Sequence, residues 1–131
     1  MGHPLRQLLT FQASPHRVYQ ALTDAAVFSQ MTRASAEIDA QAGGAFSCFD
    51  GKIVGRTIES CPDSLLVQAW RIDTWEPAIY SVARFTITGE GDSTQLALHH
   101  NGFPKGQAEH LANNWYIHYW DPMTHFFSGE S

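Results

Sequence analysis

Seven histidines, two cysteines and a generous set of aromatic side chains are the residues here whose types could carry chemistry. Neutral imidazole is the commonest transition-metal ligand, yet the spacing opposes a metal centre. His99 and His100 are adjacent, so on a strand they point to opposite faces. The C-terminal helix carries neither HExxH nor a histidine pair four residues apart. His118 and His125 share a flank of that helix, but Pro122 stands between them and disturbs the alignment. General acid–base work could draw on His100 or His118 with Glu37, Asp39 or Glu59, because a desolvated imidazole beside a carboxylate titrates near neutrality. Nothing in the sequence pairs them. GxSxG and a partnered Ser-x-x-Lys are missing, and neither Cys48 nor Cys61 sits beside a histidine in a known signature. Gly43-Gly44 and Gly102 are isolated turn glycines rather than a phosphate loop. The expectation is a chain with no catalytic residue, metal site or cofactor, and the reading leans away from an enzyme.

The aromatic residues support another chemistry, the holding of an apolar molecule. Trp70, Trp75, Trp115 and Trp120 with Phe46, Phe85 and Phe103 could line a cavity, since aromatic rings supply large apolar contact area and an indole N–H can orient a polar group. Leu98, His100, Leu111, His118 and Tyr119 complete the expected lining. Taken singly, each of these could instead fill the core. Strand parity decides: if Trp70 points to the helix, so do Leu66 and Ile72 while Arg71 faces out, and a slip of one residue inverts the set.

These residues must be positioned by a helix and a sheet. Over Lys105 to Phe127, a period of 100° per residue gathers Ala108, Leu111, Ala112, Trp115, Tyr119, Pro122 and Phe126 on one side and His110, Asn113, Asp121 and Thr124 on the other. Pro122 lacks an N–H and clashes with the carbonyl of His118, which predicts a kink or break at Asp121-Pro122. Upstream, Leu5, Leu9 and Phe11 alternate with Arg6, Thr10 and Gln12 as a first strand, interrupted by Leu8. Ser14-Pro15 starts a short helix with Val18, Ala21 and Leu22 on its apolar face, and Asp24 caps a second bearing Val27, Phe28 and Met31.

From Ala34 the period changes to two. Strands are predicted at Ala34 to Asp39, Gly44 to Phe49, Lys52 to Ser60, Leu65 to Ile72, Ala78 to Thr88 and Ser93 to Asn101. Gly43-Gly44, a two-residue Asp50-Gly51 hairpin, Cys61 to Ser64 and Gly89 to Asp92 supply the turns. An antiparallel meander completed by the first strand gives a seven-stranded sheet, and Gly102-Phe103-Pro104 launches the long helix. The fold class is α+β: a curved sheet whose concave side is covered by the C-terminal helix, a helix-grip arrangement in which a pocket is a common by-product.

With 131 residues the chain reads as a single domain, 1–131. Hydrophobic content of 44% and charged content of 16% describe a globular chain with an ample core. Eight basic against thirteen acidic residues give −5, which repels nucleic acid and anionic membranes. Met1 to Arg6 contains no apolar leader, and no segment approaches the length of a membrane span. The expected location is the cytoplasm. Two cysteines without CxxC spacing read as small hydrophobes beside strands, not as a disulfide.

A series of short motifs then points to a family. Ala13-Ser14-Pro15 with Val18-Tyr19 and Ala21-Leu22-Thr23, Gly43-Gly44-Ala45-Phe46 with Phe49-Asp50-Gly51, Gly55 with Ile58-Glu59, Trp70-Arg71 with Trp75, Gly102-Phe103-Pro104, and Trp115 with Tyr119-Trp120 together resemble the Hsp90-ATPase-activator-like (Aha1 C-terminal domain) branch of the START-like, or SRPBCC, superfamily. The likeness spans nearly the whole chain. It implies the helix-grip fold, and stand-alone members are mostly of unassigned function. The N-terminal domain of the eukaryotic activators has no counterpart here, and Asn113-Asn114-Trp115 only faintly resembles its signature. Three roles remain: a non-enzymatic domain holding a small hydrophobic or amphipathic molecule between helix and sheet, a co-chaperone-type module docking an Hsp90-like chaperone, and, less favoured, a cyclase- or hydrolase-type enzyme. The first two require no nucleic acid and no membrane insertion, and fit a monomer or a homodimer.

Overall fold

The computed structural model describes residues 4–129; the Met1-Gly2-His3 opening lies outside the described residues. Strand β1 (Leu5–Phe11) leads into α1 (Pro15–Thr23) and α2 (Ala25–Thr32). Ser14 accepts the Arg17 N–H at 3.2 Å, and Asp24 accepts the N–H groups of Ala26 and Val27 at 2.9 and 3.2 Å, so both helices start where the capping residues predict. There follow β2 (Glu37–Ile38), β3 (Ala45–Cys48), β4 (Ile53–Cys61), β5 (Leu65–Ile72), β6 (Ser81–Glu90) and β7 (Ser93–Asn101). All pairings are antiparallel, in the order β1-β7-β6-β5-β4-β3-β2. A C-terminal helical segment grips this seven-stranded sheet, the helix-grip form expected. No helix among the described residues is long and apolar enough to cross a membrane.

Several boundaries differ from expectation, each for a backbone reason. Helix α3 runs Ala108–Trp115 rather than starting at Lys105, because Gly106 sits at φ 87°, outside any right-handed helix. β6 starts at Ser81 instead of Ala78, which is held at φ 70°. β2 shrinks to Glu37–Ile38. The Asp50-Gly51 hairpin is a four-residue loop, Phe49 to Lys52, between the paired Cys48 and Ile53. Phe49, Asp50 and Gly51 all take positive φ. Ser35 draws this loop toward α2: its carbonyl accepts the Asp50 N–H at 3.1 Å and its N–H donates to Asp50 Oδ1 at 3.0 Å.

The long helix does not break at Pro122. Its irregularity comes one turn earlier, where Tyr116–Trp120 form a π-turn and the Asp121 N–H reaches back to the Tyr116 carbonyl. Helix α4 (Asp121–Phe127) continues from it with Pro122 in its first turn, where a missing N–H is tolerated. The extra residue shifts the inward face by one. Leu111, Trp115 and Tyr119 are buried as the 100° stripe requires, but beyond the π-turn Trp120, Met123 and Phe127 take the places that regular spacing would give Pro122 and Phe126. Asn113 and Thr124 face water.

Parity in β5 follows the arrangement in which Leu66 and Trp70 point to the helix. Arg71 turns to the other side and donates to the carbonyls of Trp75, Glu76 and Ile79, tying down the loop before β6. At the opposite edge Gln7 points inward from β1; its Oε1 accepts the Trp120 indole N–H at 2.6 Å and its Nε2 donates to the Ala112 carbonyl at 3.1 Å. One side chain thus pins both halves of the helical segment to the first strand.

Candidate functional site

Helix and sheet part at one end. There they enclose a cleft of about 390 Å³ bounded by the end of α2, the Phe49–Lys52 loop, the adjoining ends of β4 and β5, and the outer turns of α3 and the π-turn. Its floor is aromatic and aliphatic: Trp70, Trp115, Tyr119, Leu111, Ile53 and Ile72. Lys52, His110, Ile117 and His118 form an exposed lip. Two backbone irregularities flank the opening. The π-turn carries His118 and Tyr119, and across from it Phe49, held at φ 55°, sets its ring 5.5 Å from His118 and 5.4 Å from Tyr119. Such departures cost of order 1–3 kcal/mol for a non-glycine residue and collect at functional sites.

Of the residues expected to line a cavity, Trp70, Leu111, Trp115, His118 and Tyr119 border this cleft. Phe46, Trp75, Phe85, Leu98 and His100 lie in the packed interior, and Phe103 is half-buried against His100. Phe46 covers Gly55, where an added Cβ would come within 2.9 Å of the ring and 1.8 Å of the Ala69 carbonyl oxygen. Trp115 is the centre of the stack, lying at 27° to Trp70 and 15° to Trp120. Sequence reasoning missed the loop contribution of Phe49, Asp50 and Lys52. Reading the loop as a two-residue hairpin put Phe49 at a strand end, and only the positive φ turns it toward the helix.

His100, fully buried, belongs to a closed chain of hydrogen bonds. The Trp115 indole N–H donates to His100 Nδ1 at 3.1 Å, so the imidazole proton resides on Nε2. Nε2 then donates to Ser81 Oγ at 2.7 Å, and the Ser81 hydroxyl donates to the Trp70 carbonyl at 2.7 Å. Burial pulls the His100 pKa down to about 4, keeping this neutral tautomer. A serine beside a histidine suggests a nucleophile and its base, but here the histidine N–H donates a hydrogen bond to the serine oxygen and the serine O–H is spent on a carbonyl. His118 lies elsewhere, at the lip against Phe49, so the two histidines serve different surroundings.

Burial also acts on other polar groups of the interior. Burial raises the Cys48 thiol to about 12 and holds the Tyr119 hydroxyl well above its usual range, the Cys48 charge adding to this and the Trp70 N–H opposing it. That Trp70 N–H, though it acts on Tyr119, completes no hydrogen bond of normal geometry among the described residues. Cys48 and Cys61 are both free. No group of three or more His, Cys, Asp or Glu gathers among the described residues in a way that could hold a metal.

The model of the family described as activator of Hsp90 ATPase homolog 1-like protein matches residues 12–128. Activator of 90 kDa heat shock protein ATPase homolog 1 from Homo sapiens is 25% identical over 118 residues, covering 90% of this chain and 35% of the relative. The chain therefore spans about a third of the length of the curated relatives it matches. Among solved structures, an HSP90 activator from Plasmodium falciparum superposes with a TM-score of 0.90 at 25% identity, covering 99% of both chains. The Aha1 dimer from Colwellia psychrerythraea, with a TM-score of 0.82 at 14% identity, covers 99% of this chain and 100% of that one, and shares the fold.

Proposed function

This chain belongs to the activator of Hsp90 ATPase homolog 1-like family, and from that premise we propose that it holds a small apolar or amphipathic molecule in the cleft between helix and sheet without transforming it. The observation that carries the reading is the cleft itself. Its volume of about 390 Å³ falls in the range of small-molecule sites, and its lining is the usual mixture of aromatic floor and a few polar groups. The Ser81–His100 pair supports a holding role, because it has no free proton acceptor to offer a reaction. Thermal-shift screening of the folded protein against lipids and metabolites is the test. A true occupant raises the melting temperature in proportion to RT ln(1 + [L]/Kd), and Ala34→Trp, which fills the cleft, removes the shift. A broad library without a single binder would overturn the reading.

A second reading has its own support in the relatives named as activators of the 90 kDa heat shock protein ATPase. On it, the domain docks an Hsp90-like chaperone through its surface, where Tyr116 and Ile117 stand exposed on the outer side of the π-turn. Binding of a purified Hsp90-type chaperone, weakened by Ile117→Glu, is the expected result. No binding at micromolar concentrations would remove this reading. Either role is one for the cytoplasm and involves neither nucleic acid nor membrane insertion, as a monomer or, like the Colwellia protein, as a dimer.

A further inference from the structure

We infer that the molecule this cleft takes is an amphipathic carboxylate, its apolar body on the Trp70–Trp115–Tyr119 floor and its anionic head at Lys52. The inference rests on the ligand-holding reading and concerns the chemistry of the ligand. The polar groups of the lining decide it, taken one at a time.

Most are already satisfied. The Thr32 hydroxyl donates to the Phe28 carbonyl at 2.8 Å and accepts the Ala34 N–H at 3.3 Å. Asn114 and His110 bond each other at 2.9 Å. Asp50, the one acid in the lining, spends Oδ1 on the Ser35 N–H at 3.0 Å. Apart from His118, the Tyr119 hydroxyl and the second Asp50 oxygen, two groups are left over, and both donate. Lys52 is exposed at the lip and enters no ion pair among the described residues, where the one such pair is His16 with Asp63. The Trp70 N–H, buried in a cleft-lining residue only 2% exposed, has no acceptor of normal geometry. An ammonium and an indole N–H on one cleft are complementary to acceptors, and a carboxylate carries only acceptors when ionised. An amine in the same place would meet Lys52 as a like charge. A neutral alcohol would gain the apolar floor and nothing from the lip.

Because Lys52 is exposed, its pairing with a carboxylate is worth up to about 1 kcal/mol, or roughly fivefold in affinity, and is weakened by salt. The apolar floor supplies the rest. Trp70 and Trp115 line the cleft, so their fluorescence reports occupancy. Sodium decanoate, 1-decanol and decylamine are titrated below their aggregation limits into the wild-type protein and a Lys52→Met variant, which keeps the stem and removes the charge. Decanoate is expected to bind about fivefold tighter than decanol, decylamine weakest, and Lys52→Met to bring decanoate down to the level of decanol. Decanol binding as tightly as decanoate, or a decanoate preference that survives Lys52→Met, would sink this inference and leave the holding role standing. If none of the three binds, this inference falls, while the holding role is still decided by the wider screen.

Discussion

Between pH 6.5 and about 4 an unfolded chain takes up a proton at His100 that the folded protein refuses, because the folded pKa is depressed by burial. The stabilisation is fully present above the unfolded value and is lost as pH falls through this window. A shift from 6.5 to about 4 corresponds to about 3 kcal/mol. Urea melts at several pH values are expected to show this loss in the wild-type protein, and a His100→Gln variant, though less stable overall, to lack that part of the slope. Equal slopes would mean that His100 is solvated. The two thiols offer a second check: Cys61 is exposed, whereas Cys48 is buried with its thiol raised to about 12. Ellman's reagent should therefore count one thiol in the native protein and two in denaturant.

At the scale of elements, the helical segment carries the most informative disagreement. The stripe through Leu111, Trp115 and Tyr119 was readable because hydrophobic spacing alone determines it, and Trp115 is 1% exposed. Trp115→Ala is expected to cost about 3–5 kcal/mol in urea melts, and a loss below about 1 kcal/mol would contradict the stacking described here. The shift to Met123 and Phe127 was not readable, since a π-turn inserts one residue without a distinctive composition and Pro122 drew the expected irregularity to itself. Deleting Ile117 tests what the insertion is for. The shortened segment would place Leu111, Trp115, Trp120, Met123 and Phe127 on one regular α-helical face, so the protein is expected to fold while His118 rotates out of the cleft. Circular dichroism and loss of probe binding would show both effects; an unfolded variant would make the π-turn a packing device instead. The strands tell a similar story. Strand existence was visible in the period-two pattern, but the positive φ of Ala78 and Phe49 was not, because neither residue type announces a left-handed backbone.

For the whole molecule, the sheet order could be inferred from the meander and the need to pair β1, but the position of the cleft could not. It depends on where the Phe49–Lys52 loop meets the π-turn, two irregular segments far apart in sequence. That end of the sheet also finishes in the two-residue β2, while β6 and β7 are long and paired on both sides. Amide hydrogen exchange is accordingly expected to be fastest in β2 and slowest in β6 and β7, and equal rates would argue against a graded sheet. The pairing of β1 has a further consequence, in time. Leu5 meets His100, Phe11 meets Thr94, and Gln7 reaches Ala112 and Trp120, so the first strand of this fold finds its partners only when the rest of the sheet and the helical segment have been made after it. Until then α1 and α2 have no finished sheet to cover. Such long-range closure slows folding into the millisecond-to-second range, and the nascent chain must spend its synthesis with an unpaired strand and two apolar helix faces in solution.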